Sequence, residues 1–175
     1  MKILFCALAL AASASSAAAS CLDFDSTPAG TAQGVGPVVA LPDGNVSLRR
    51  FFWLGGGSTV AGVATVVASN WAAGSAPHEL NLNNINLRVD VITAAATTTA
   101  TFNYADFGGN VNLRVNGVLS NVNDLSGVPA FLGGAAVAVT RINMFGYHFG
   151  TVMITGALTD FAVGGQEFYV DDVCW

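Results

Sequence analysis

Two pairs of aspartates stand beside two cysteines at opposite ends of the chain: Asp23 and Asp25 follow Cys21, and Asp171 and Asp172 precede Cys174. Carboxylates gathered in this way are hard oxygen donors of the kind that hold Ca²⁺. Between the ends, Asn84-Ile85-Asn86-Leu87-Arg88-Val89-Asp90 is echoed as Asn110-Val111-Asn112-Leu113-Arg114-Val115-Asn116, with five identities in seven at an offset of 26 residues. Alternate residues of an extended strand share a face, so Asn86, Arg88 and Asp90 fall together, as do Asn112, Arg114 and Asn116. Such a set offers mixed donors and acceptors suited to sugar hydroxyls, and the planar fork of Arg also suits a uronate carboxylate. The competing reading is that these residues merely make a solvated outer sheet face, and that the terminal acids sit in water.

The catalytic inventory is thin. The sequence contains no Gly-x-Ser-x-Gly, His-Glu-x-x-His or Walker A pattern, and its two histidines, His78 and His148, have no ligand-spaced partners. Each histidine reads as a local hydrogen-bonding side chain. A two-carboxylate glycosidase would draw on the eleven acidic residues, but nothing in the sequence singles out a pair.

These groups must be positioned by about one domain, the amount of structure that 175 residues support. Residues 1–20 read as a signal peptide: Lys2, then the apolar run Ile3 to Leu10, then small residues ending in Ala18-Ala19-Ser20. The remaining domain, 21–175, is expected in a secreted or periplasmic setting. It has no lysine and a net charge one unit more negative than the −5 of the whole chain. With 53% hydrophobic and 10% charged residues, the composition excludes a disordered chain, and six cations cannot form a nucleic-acid-binding patch. Cys6 leaves with the leader, so Cys21 and Cys174 are expected to form an end-to-end disulfide. Lipid anchoring at Cys21 is the rival, and it would strand Cys174. No run of the length and apolarity needed for a transmembrane helix follows the leader. An outer-membrane barrel is disfavoured because Asp171 interrupts the outward set that runs through Tyr169 and Val173.

Val, Thr, Ile and aromatic residues recur in short runs between Gly, Pro, Asn and Asp clusters, which predicts about ten strands, Val111 to Leu119 among them, and an all-β, two-sheet antiparallel sandwich of jelly-roll type. The repeat strands are expected to flank Thr97 to Ala105 in a three-stranded meander and to run parallel to each other. Ile85, Leu87, Val89 and Val91, Val111, Leu113 and Val115, and Ala100, Phe102 and Tyr104 would then face the core. Thr99, Thr101 and Asn103 would join the repeat's polar residues on the other side. A helical turn is expected within Leu125 to Leu132, and Trp53 is assigned to the core.

If Cys21 and Cys174 face each other on antiparallel strands, Asp23 falls opposite Asp172 and Asp25 opposite Val170. Opposed carboxylates repel, and a bound cation would relieve the repulsion. The opening Leu22-Asp23-Phe24-Asp25-Ser26-Thr27-Pro28-Ala29-Gly30-Thr31 and the ending Phe168-Tyr169-Val170-Asp171-Asp172-Val173 resemble the end strands of calcium-stabilised β-sandwich carbohydrate-binding modules. That resemblance implies a structural Ca²⁺ held by Asp23, Asp25, Asp171 and Asp172, with backbone carbonyls near Phe24 and Thr31. The expected function is a non-catalytic binding module for a glycan or cell-surface component, through Asn86, Arg88, Asp90, Asn112, Arg114 and Asn116. A self-associating surface or matrix protein is the alternative, and a polysaccharide-active enzyme comes third.

Overall fold

The computed structural model describes residues 20–36, 38–41, 43–68, 76–92 and 98–175. The expected leader, apart from Ser20, and Trp71 lie outside the described residues. The described residues form seventeen strands: β1 (Cys21–Leu22), β2 (Ala32–Gln33), β3 (Val38–Leu41), β4 (Gly44–Phe52), β5 (Ser58–Thr59), β6 (Val63–Ala68), β7 (His78–Asn83), β8 (Ile85–Val91) and β9 (Thr98–Asp106) come first. They are followed by β10 (Val111–Val115), β11 (Val118–Val122), β12 (Phe131–Leu132), β13 (Ala135–Val139), β14 (Ile142–Met144), β15 (Tyr147–Gly156), β16 (Asp160–Gly165) and β17 (Phe168–Cys174). Among the described residues the one helical element is a single 3-10 turn, Leu125–Gly127, capped by Asp124 and lying within the stretch where a helical turn is expected.

Two antiparallel sheets make an all-β sandwich. One has the order β12-β13-β15-β9-β17-β7-β6-β2, with β1 beside β17 and β14 beside β15; the other is β11-β10-β16-β8-β4-β3, with β5 beside β4. The core is built as the alternation predicts. Ile85, Leu87, Val89, Val111, Leu113 and Val115 from the second sheet meet Ala100, Phe102 and Tyr104 from the first, all of them buried. Trp53 is half-buried and packs edge-on against the buried Phe51, with ring centroids 5.1 Å apart.

The predicted meander is not formed. β9 sits in the first sheet between β15 and β17, and the strand lying between the two repeat copies is β16. Asp160-Phe161-Ala162-Val163-Gly164-Gly165 carries a weak strand signal because it ends in two glycines, which have no side chain to pack. Thr99, Thr101 and Asn103 therefore belong to the opposite sheet from the repeat. The copies do run parallel to each other, since both are antiparallel to β16. The stretch predicted as one strand from Val111 to Leu119 is a hairpin turning at Asn116-Gly117, whose φ values of 48° and 81° suit the left-handed geometry of a tight two-residue turn.

Cys21 and Cys174 are disulfide-bonded across 153 residues of sequence. Closing so long a loop removes unfolded-state entropy equivalent to about 5 kcal/mol on the chain-entropy account. Ser20 extends this ladder by exchanging both backbone hydrogen bonds with Trp175.

Candidate functional site

The outward-facing residues of the second sheet line up in rows. Ser47 on β4, Arg88 on β8, Ala162 on β16, Arg114 on β10 and Leu119 on β11 are successive register partners. The neighbouring row runs Arg49, Asn86, Gly164, Asn112, Asn121. Arg88 and Arg114 thus stand one strand apart, as the repeat predicts, although a different strand separates them. Their backbones are two strand spacings apart, roughly 10 Å.

The two rows have different fates. At Gly164 there is no side chain between the copies, and the Asn86 side-chain amide reaches across to Asn112 Oδ1 at 3.2 Å. A Cβ on Gly164 would lie 2.0 Å from the Ile85 carbonyl oxygen and 2.5 Å from Asn86 Oδ1, so only glycine fits. The end of β4 passes over this row. The Phe52 amide donates to Asn112 Oδ1 at 2.9 Å, the Phe52 carbonyl accepts from Asn112 Nδ2 at 2.9 Å and from Asn121 Nδ2 at 3.0 Å, and the Arg50 carbonyl accepts from Asn86 Nδ2 at 2.7 Å. Asn86 and Asn112 retain only 4% and 1% exposure, so they form a floor beneath the chain and do not reach into solvent. Asn116 ties loops together, donating to the carbonyls of Gly133 and Ala157 and accepting from the Thr159 amide. Of the six residues predicted to bind a ligand, Asn86 and Asn112 are buried, and Arg88, Asp90, Arg114 and Asn116 keep partial exposure.

The arginine row stays open. Arg49, Arg50, Arg88 and Arg114 line a groove of about 420 Å³ together with Ala162 and the buried Asn86 and Asn112, bordered by Val35, Phe52, Val60 and Leu119. That volume falls in the range of ligand clefts. Arg88 Nη2 is 2.5 Å from Asp90 Oδ1, while Asp160 Oδ1 lies 3.7 Å from Arg88 and 3.9 Å from Arg114. The Nε atoms of Arg49, Arg88 and Arg114 are buried without a hydrogen-bond acceptor. Arg49 and Arg50 have no repeat or motif to mark them in the sequence. Their place comes from β4 lying next to β8, a pairing that only the tertiary structure reveals.

At the termini the predicted ladder stops after Leu22 and Val173. Phe24 turns away at φ 59°, and β17 bulges at Asp172, where φ is 50°. Asp23 is consequently not paired with Asp172, nor Asp25 with Val170. Asp23 Oδ1 accepts the Asp25 amide at 3.2 Å, Asp25 Oδ1 accepts the His78 amide at 3.0 Å, and Asp172 Oδ2 accepts from Asn103 Nδ2 at 3.0 Å. Asp171 is fully buried, and neither carboxylate oxygen has a hydrogen-bond partner. Burial pushes its pKa up to about 7; the nearby Asp172 amide opposes this without completing a hydrogen bond, and the charges of Asp172, Asp25 and Glu79 push it further. Glu79, also fully buried, was not marked by the sequence; the β17–β7 register brings it to Asp171's neighbourhood. Among the described residues no three ligand-type side chains surround one point. The oxygen donors suit a hard cation chemically, and three of the four predicted ligands are engaged in hydrogen bonds as they stand.

The remaining titratable cluster is structural in form. His148 Nδ1 lies 2.7 Å from Asp124 Oδ2, Arg141 Nη2 lies 3.1 Å from the same oxygen, and Arg141 Nη2 approaches His148 Nε2 at 2.6 Å. Asp106 beneath them accepts the Gly108 amide at 2.9 Å, and burial raises its pKa to about 6. Neither Asp106 nor Asp171 lines the groove. His78 Nδ1 is 3.1 Å from the Asp25 carbonyl oxygen. On the outer face of the first sheet, Phe107 packs against Tyr147, Phe149 and Tyr169. No family model, curated protein or solved structure matches this chain.

Proposed function

We propose that this is a secreted, non-catalytic binding module that holds a glycan or cell-surface component in the arginine groove. The observation that carries this reading is the concentration there of Arg49, Arg50, Arg88 and Arg114 around Ala162, Asn86 and Asn112. Their strands are fixed by the asparagine hydrogen bonds, so little ordering cost falls on binding. A glycan array run with the wild type and with the double substitution Arg88→Ala and Arg114→Ala tests it. Saturable binding should weaken at least tenfold in the variant, and unchanged binding would remove the groove from consideration. Self-association is the second reading. It is favoured by the β14–β15 hairpin, where Ile142, Met144 and Phe145 are exposed by 64%, 44% and 85%. Concentration-dependent oligomers without a ligand would support it. The same proposal includes a structural Ca²⁺ near Asp171, with Asp25 and Asp172, supported by the buried carboxylate that has no donor of its own; the secreted setting and the kinship with carbohydrate-binding modules are likewise part of it.

A further inference from the structure

We propose that the groove selects an acidic polysaccharide, gripping carboxylate or sulfate groups and not hydroxyls alone; this rests on the groove being the binding site. The charge balance argues for it. Among the described residues, Asp90 and Asp160 are the carboxylates within ion-pair distance of Arg88 and Arg114, and no acid lies within that distance of Arg49 or Arg50. Four guanidinium groups face two carboxylates, so the groove holds a surplus of positive charge in a protein whose overall charge is −5.

The donors argue for it too. The buried Nε atoms of Arg49, Arg88 and Arg114 have no acceptor, and Asp160, at 3.7 Å from Arg88 and 3.9 Å from Arg114, is within ion-pair distance of both but hydrogen-bonded to neither. An oxyanion accepts two parallel hydrogen bonds from one guanidinium, whereas a hydroxyl does so poorly. Location matters as well. An acidic protein meeting an acidic polymer is repelled everywhere except at a local positive site, so a groove of this kind selects and orients the polymer as well as attracting it.

The test measures affinities for two matched pairs of polymers, polygalacturonate against its methyl ester and dextran sulfate against dextran, at low and raised NaCl. An acidic polymer should bind at least tenfold more tightly than its neutral counterpart and weaken as salt rises. Binding of polygalacturonate alone identifies a carboxylate ligand, and binding of dextran sulfate alone identifies a sulfate. The double substitution Arg49→Gln and Arg114→Gln should reduce acidic-polymer binding at least tenfold while leaving the thermal midpoint unchanged. Equal affinity within each pair, lost in the variant, would overturn the acidic selectivity and leave the groove as the site. Acidic-polymer binding unaffected by the variant would overturn both, and failure to bind either acidic polymer would overturn the selectivity.

Discussion

Replacing Asn112 with Ala separates a structural role from a binding role at the centre of the repeat. The side chain is 1% exposed and makes three hydrogen bonds: to the Phe52 amide at 2.9 Å, to the Phe52 carbonyl at 2.9 Å and to Asn86 Nδ2 at 3.2 Å. The Phe52 carbonyl keeps Asn121 and the Asn86 amide keeps the Arg50 carbonyl, but the Phe52 amide loses its side-chain acceptor. Two replaceable hydrogen bonds at about 0.5–1 kcal/mol each and one orphaned amide at about 1–3 kcal/mol give a loss of about 3 kcal/mol. For a domain of this size that is a fall of roughly 10 °C in midpoint. Urea unfolding followed by tryptophan fluorescence measures it, because a stability change moves the transition midpoint at constant slope. Arg114→Ala is the control: its carboxylate partner is 3.9 Å away and its side chain is 36% exposed, so the cost should stay below about 0.5 kcal/mol. If Asn112→Ala leaves the midpoint within 0.5 kcal/mol of wild type, by the ordinary scatter of surface substitutions, yet abolishes ligand binding, the asparagine is a contact residue and the floor assignment is wrong.

Gly164→Ala drives a methyl group into the Ile85 carbonyl at 2.0 Å, so it should cost about 2–3 kcal/mol by overpacking, read as a lowered melting temperature. Asp106 has its folded-state pKa raised from 3.8 to about 6, so folding takes up a proton and stability should fall as pH rises from about 4 to 6. Asp106→Asn keeps the Oδ1 acceptor for Gly108, should remove this part of the pH dependence and should stabilise at pH 8; a melt-versus-pH series with the wild-type slope would refute it. If Ca²⁺ sits at Asp171, the melting temperature should rise with CaCl₂ and fall with EDTA, and Asp171→Asn should abolish the difference. If that aspartate holds no cation, the same substitution should raise the midpoint at pH 8 by removing an unpartnered buried charge.

The fold class was legible because alternation within Ile85–Val91, Val111–Val115 and Thr98–Asp106 is strong and local, and the cysteine count left one pairing inside the domain. Neighbour relations were less accessible. Asp160–Gly165 lies between the repeats, yet its glycines weaken the pattern that identifies strands, so the sequence favours Thr97 to Ala105, which intervenes along the chain, for that place. The turn at Asn116-Gly117 was read through because Val111–Leu119 keeps an apolar content that suits one strand as well as two. At the termini, register counted from the disulfide holds only as far as Leu22 and Val173, because the positive φ at Phe24 and Asp172 breaks both strands just where the acids begin. A register argument assumes regular strands, and no residue type there marks the irregularity in the way a glycine would.

Asn86 and Arg88, like Asn112 and Arg114, share a sheet face, stand two residues apart and line the same groove, yet the asparagines are buried and the arginines keep partial exposure. Parity along a strand decides which face a side chain takes; what lies over that face decides its exposure. The end of β4 crosses the Asn86–Gly164–Asn112 row and brings backbone amides and carbonyls with no strand partner there, and Asn supplies both a donor and an acceptor to meet them. A guanidinium at those positions would offer donors only and leave the Phe52 amide unsatisfied. One row further on, Arg88, Arg114 and Leu119 keep partial or full exposure, the small Ala162 stands between the two arginines, and the repeated position carries Arg. The repeat therefore does two things at a spacing of two residues: its asparagines fix the end of β4, and β4 in turn brings Arg49 and Arg50 alongside Arg88 and Arg114. The groove depends on that floor, so Asn86 and Asn112 position the arginines as well as contributing to the groove's lining.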